Sequence, residues 1–190
     1  MDIFIKYRII RYYFLKLKGN FYKLNDNWIV YFRTNNKSTW GLECFNKHTI
    51  YNISSLLIFI TWLQSILTNT INRFYFPHFI AVMKNNNLPL WETYKKGCIY
   101  SFQLNNNTGF IFWIELIKLL CINSDVFNYT KYLIGSTITV KKQTIIKLWY
   151  NSSDIKYNEM FNTISSEYNY INSHLTKNNF QFTKINEIKY

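Results

Sequence analysis

Residues 98–122 read CIYSFQLNNNTGFIFWIELIKLLCI. CIYSFQL, Cys98–Leu104, shows a partial period of two in its apolar residues, as a half-buried strand does. The Asn run and Gly109 that follow mark a turn. FIFWIELIKLLCI, Phe110–Ile122, reads as a helix. Its charges, Glu115 and Lys118, lie close together on a helical wheel beside Ile111 and Ile122, so its outer face is partly apolar. Strand, turn and helix thus succeed one another within a short span.

Working outward, strand signals recur at Trp28–Phe32, Thr39–Phe45, Phe79–Met83, Thr137–Val140 and Thr144–Tyr150. Two further helices are expected. Ser54–Leu67 is amphipathic: Ser54, Thr61, Gln64, Ser65 and Thr68 share one side, and Leu56, Phe59, Ile60, Trp62, Leu63, Ile66 and Leu67 cover the other. Leu57 and Ile58 flank the polar stripe. The last spans about Asp154–Tyr170, with Ser152 or Ser153 as N-cap and Met160, Ile164 and Tyr168 spaced four apart. Strands and helices alternate irregularly and lack a βαβ rhythm. The pattern predicts an α+β fold, an antiparallel sheet with helices on one face and the other face open to a ligand.

A chain of 190 residues suits one domain with a real core. Its net charge of +12 suits an anionic partner, nucleic acid or an acidic membrane surface. The same excess would come from an AT-rich coding sequence, because Asn, Lys, Ile, Tyr and Phe are all abundant. Cys44, Cys98 and Cys121 form no C-x-x-C pair, and His48, His78 and His174 are scattered, so no metal is expected. Free thiols suit a reducing compartment such as the cytoplasm, the host's if the chain is viral. Five basic residues interrupt MDIFIKYRIIRYYFLKLK, which argues against a secretory signal. The uncharged stretch Thr49–Asn72 is broken by Ser, Thr and Gln, which argues against a membrane span. No G-x-S-x-G, P-loop, G-x-G-x-x-G or H-E-x-x-H occurs, so the expectation is a non-catalytic protein without cofactor.

Binding chemistry is better signposted. Trp28, Trp62 and Trp113 fall inside regular elements and read as core. Trp91 follows an Asn run and Pro89 in LPLWET, and Trp40 ends the polar run KSTW, so both belong on loops. Lys95 and Lys96 follow the first; Lys141 and Lys142 end one strand and Trp149 ends the next. Two loop indoles can sandwich a flat base, worth about 1–3 kcal/mol per stacked base, and a cationic base adds a cation–π attraction. Glu92, ionised, accepts N–H donors only. Guanine is the purine with N–H donors at both N1 and N2. Lysines further out would hold phosphates. The composite ligand is a positively charged guanine nucleotide, the 7-methylguanosine cap of messenger RNA.

From about Leu24 onward the chain resembles the cap-binding translation initiation factors of the 4E type. The resemblance rests on NDNWIVYF…KSTW, LPLWE, FWIELIKLLC, the G-x-x-x-x-V strand at Gly135–Val140 and the strand ending in Trp149, with TKNNFQF (Thr176–Phe182) as a closing segment. It implies a curved eight-stranded antiparallel sheet, three helices on its convex face and a cap pocket on its concave face, all within residues 23–190. Residues 1–22 form a basic, aromatic extension outside it. Trp40 and Trp91 match the stacking pair, Glu92 the carboxylate that reads guanine and Trp149 the indole near the methyl group. Lys141 matches a phosphate-binding Arg. Two other phosphate-binding positions fall at Ile99 and Ile145, leaving Lys142, Lys95, Lys96 or Lys177 to compensate. The partner implied on the convex face is a helical peptide of a scaffold protein. Ile114 and Glu115 match docking positions on the second helix and Leu24 belongs to a partly kept N-terminal docking motif. On the first helix the docking Trp is replaced at about Ile58, beside Leu57. The altered docking surface admits a second reading, a cap-binding repressor or decoy that recruits no scaffold. A third is a basic RNA- or membrane-surface protein without cap preference.

Overall fold

A computed structural model of the chain describes residue 24 and residues 26–33, 44–68, 79–122, 130–153 and 180–185. Seven strands form one curved antiparallel sheet: β1 (Trp28–Arg33), β2 (Phe45–Ile50), β3 (Phe79–Lys84), β4 (Cys98–Leu104), β5 (Leu133–Val140), β6 (Thr144–Tyr150) and β7 (Phe180–Lys184). Their order across the sheet is β2-β1-β3-β5-β6-β4-β7. Two long helices, α1 (Ile53–Thr68) and α2 (Asn106–Ile122), and two short 3₁₀ turns, Trp91–Thr93 and Thr130–Tyr132, complete the described elements. The fold is α+β, as the sequence predicts. The expected third helix, 154–170, and the extension, 1–22, lie outside the described residues.

Local chemistry sets the helix starts. The Asn52 side chain accepts the Ser55 N–H at 2.9 Å, and Ser55 Oγ accepts the Asn52 N–H at 3.0 Å. This reciprocal pair caps α1 as a capping box does, with Ser in place of the usual Glu. Asn105 Oδ1 accepts the Thr108 N–H at 2.9 Å and opens α2.

Side chains alternate across each strand, so the sheet carries a hydrophobic layer on each face. One face holds Trp28, Val30, Ile80, Val82, Tyr100, Phe102, Ile138, Ile146, Leu148 and Tyr150, packed under both helices. Trp113 of α2 enters this layer and donates its indole N–H to Ser136 Oγ at 3.0 Å. Trp28 and Trp113 are fully buried, as expected of core residues. Trp62 departs from that expectation: it stacks on Phe59, edges onto Phe32 and remains 39% exposed. The second face holds a separate cluster of Ile29, Tyr31, Phe79, Ala81, Met83, Ile99, Ile134, Trp149 and Ile185. Gly135 lets β5 approach β3 there, because a Cβ at this position would lie 2.4 Å from the Val82 carbonyl oxygen.

Strand boundaries at Cys98–Leu104 and Thr144–Tyr150 match the expectation. Two strands do not: β5 runs Leu133–Val140 and so starts four residues before the expected Thr137, and β2 is displaced along the chain. β2 is FNKHTI, Phe45–Ile50, mostly exposed along the sheet edge, whereas the predicted strand Thr39–Phe45 meets it only at its last residue. Thr49–Asn72 contributes the end of β2 and all of α1; no helix among the described residues is long and apolar enough to cross a membrane.

Candidate functional site

The β3–β4 connection is built to present Trp91. Asn85 and Asn86 take left-handed backbone angles, φ 50° and 61°, a region Asn tolerates better than most residues. The turn then closes by an Asn87 N–H bond to the Lys84 carbonyl at 3.0 Å. Pro89 is followed by a short 3₁₀ turn, Trp91–Thr93. The Tyr94 hydroxyl folds back on the loop, accepting the Leu88 N–H at 2.9 Å and lying 2.9 Å from the Leu88 carbonyl. Burial pushes this phenol's pKa up, so the hydroxyl stays protonated and can donate. The Tyr94 ring meets Trp149 edge to face, centroids 6.4 Å apart. Trp91, half-buried, packs with Leu88 and Tyr94 against the cluster that contains Trp149. Two of the expected base-site indoles therefore share one apolar surface.

Glu92 follows Trp91 on the same turn and is exposed. Three carboxylates occur among the described residues. Asp26 pairs with Lys84 at 2.8 Å and Glu115 with Lys118 at 2.6 Å, while Glu92 forms no ion pair among the described residues. An ionised carboxylate in that state keeps its acceptor sites for a ligand. Trp149 is buried and spends its indole N–H on Thr137 Oγ1 at 3.1 Å. It can therefore offer a ligand only an apolar ring surface. Trp40 and Lys177 lie outside the described residues.

The expected phosphate contacts are divided. Lys95 and Lys96 are exposed just before β4, near the Cys98–Tyr150 end of the β4–β6 pair. Lys141 and Lys142 are exposed in the β5–β6 turn, at the opposite end. β6 rises about 3.4 Å per residue, so roughly 20 Å of strand separates the two pairs. Ile99 is buried beside Trp149, its register partner, and Ile145 is half-buried on the same face. Neither supplies charge.

Between the two lysine pairs lies a residue that the sequence reading passed over. Lys147 sits on β6 two residues before Trp149, hence on the same face. Its register partners are Thr137 on β5 and Ser101 on β4. Burial lowers its pKa from the ordinary lysine value. The period-two spacing of Ile145, Lys147 and Trp149 in TIIKLWY was the signal that could have found it.

The convex-face residues also sort. Leu24 and Ile114 are 6% and 2% exposed and belong to the core, within the apolar layer under the helices, so little of either side chain reaches the surface. Leu57 is half-buried, and Glu115 is occupied with Lys118. Ile58 is 72% exposed, one helical turn before Trp62, so the two share a face of α1. Tyr51, 74% exposed, lies just ahead of the helix. The outward aromatic that the sequence reading gave up at Ile58 reappears at Trp62.

One curved antiparallel sheet is backed by long helices on one face and carries an aromatic cluster on the other. The fold is that of the eIF4E proteins. The chain matches eIF4E-3 of C. elegans, solved with the 4E-binding protein Mextli and a cap analog, at TM-score 0.67 and 12% identity over 85% of this chain and 91% of that one. It matches Ascaris suum eIF4E-3 in complex with an m7G cap at TM-score 0.62 and 12% identity, over 85% and 90% of the two chains. Schistosome eIF4E, complexed with m7GpppA and 4E-BP, matches at TM-score 0.62 and 18% identity, over 87% and 88%. No protein-family model matches the sequence, and no curated protein sequence matches it.

Proposed function

We propose that the chain binds the 7-methylguanosine cap of messenger RNA and acts in translation initiation as a binding protein, not an enzyme. The observation that carries this reading is the placement of Trp91 beside Trp149, with Glu92, a carboxylate that forms no ion pair among the described residues, next in the chain. Trp91 supplies one face of the base clamp and Trp40 the other. Glu92 accepts the guanine N–H donors, and Trp149 offers ring surface to the methyl group. The three solved neighbours were crystallised or complexed with cap ligands, which supports the reading. The free cysteines Cys44, Cys98 and Cys121 suit a cytoplasmic setting.

The test is base selectivity. Glu92→Ala leaves the base donors without a charged acceptor, worth about 1.5–3 kcal/mol for such a bond. Its preference for 7-methylguanine over 7-methyladenine nucleotides should collapse. An undiminished guanine preference refutes the role given to Glu92.

The exposed stripe Ile58–Trp62 on α1, with Leu57 beside it, is the proposed seat of a helical peptide of a scaffold protein. Two of the neighbours named above carry a 4E-binding protein in their complexes, which supports the choice of partner.

A further inference from the structure

We propose that Lys147 is the phosphate contact of this binding face, its ammonium holding the anionic group of a nucleotide whose base lies against Trp91 and Trp149. The inference rests on the base-binding reading above and assigns the part of the ligand that reading leaves without a cation.

The register of the sheet places the residue. Read across the second face, one row runs Lys47, Tyr31, Ala81, Thr137, Lys147, Ser101, Gln181. The next row runs Thr49, Ile29, Met83, Gly135, Trp149, Ile99, Thr183. Lys147 is therefore diagonal to Ile99 and about 7 Å along β6 from Trp149, within reach of a lysine side chain. The groups that flank it are hydroxyls: Thr137, which already accepts the Trp149 indole N–H, and Ser101. Along the strand it is bounded by Ile145 and Trp149. No residue in either row carries a carboxylate, and Lys147 forms no ion pair among the described residues.

A cation set in the middle of a sheet face and partly withdrawn from water has a cost that a surface lysine avoids. An anion that enters the face offsets that cost and bonds to the ammonium directly. Of the expected phosphate lysines, the four that are described, Lys95, Lys96, Lys141 and Lys142, lie at the two ends of β6 and are solvated and weakly placed by comparison. Ser101 can add a hydroxyl donor beside the ammonium.

The experiment is a titration of the full chain with 7-methylguanosine, 7-methyl-GMP and 7-methyl-GTP, followed by tryptophan fluorescence. Wild type is compared with Lys147→Met and Lys147→Arg. Wild type should bind the nucleotides more tightly than the nucleoside. Lys147→Met should bind the nucleoside as wild type does but lose about 10- to 100-fold of the gain from phosphate, the range of a charge-assisted hydrogen bond. Lys147→Arg should restore most of it. A Lys147→Met protein that keeps the whole phosphate gain overturns the inference and leaves the base site standing. So does one that loses nucleoside and nucleotide affinity equally. A wild type that binds none of the three contradicts the base-binding reading and this inference together.

Discussion

Trp149 gives its indole N–H to Thr137 across the β5–β6 pair, with both side chains buried. The bond holds the ring on the second face of the sheet and removes its one donor from any ligand. Thr137→Val keeps the shape and deletes the acceptor, leaving a buried N–H unpaired. Stability should fall by about 1–3 kcal/mol. Urea unfolding measures it, and an unchanged midpoint would mean that the indole is held by packing alone.

The Tyr94 hydroxyl ties the Trp91 loop to itself at Leu88. Tyr94→Phe retains the edge-on packing against Trp149 and loses the tie. The expected cost is about 1 kcal/mol of stability, with a several-fold weaker affinity for 7-methyl-GTP, because Trp91 is then less well preset. Fluorescence titration of the variant decides between this and a purely apolar role for the ring.

Burial holds Lys147 below the ordinary lysine pKa of 10.5. The register partners that face it, Thr137 and Ser101, do not titrate in this range. Between the folded value and 10.5 the unfolded chain binds more protons at this site than the folded one, so stability from this residue rises with pH across that window. Below the window the full penalty applies. Lys147→Met should therefore raise the Tm at pH 7, and its advantage should shrink as pH climbs towards 10.5. Thermal unfolding at the two pH values tests the sign; an advantage that does not change with pH removes the titration from the explanation.

Ile58 is largely in water, so Ile58→Asp should alter stability by less than about 0.5 kcal/mol. The same change puts a charge into the proposed peptide seat beside Trp62. Scaffold-type helical peptides that bind wild type should no longer be captured, while retention on cap resin is unaffected. Capture that persists would move the seat off this face of α1.

The strands that carry the site were legible because their apolar residues alternate and their turns are chemically marked. CIYSFQL and TIIKLWY announce their own limits, and the Asn-Pro run before Trp91 announces a loop. β2 was not legible: FNKHTI lies at the sheet edge, mostly exposed, and owes its pairing to β1 more than to any pattern of its own. The fate of outward residues on helices was only half legible. A wheel locates a stripe, but the stripe's burial depends on neighbours, which is why Ile114 sank into the core while Trp62, expected there, stayed partly outside. Lys147 was missed for a related reason. Charge in a strand reads as solvent-facing, yet here the face it points to is the one that carries Trp149.

Retention on immobilised 7-methyl-GTP tests the central claim most directly. The account predicts that the protein is retained, that free 7-methyl-GTP elutes it and GTP at the same concentration does not, and that Trp91→Ala passes through unretained. Equal elution by GTP and 7-methyl-GTP would contradict it.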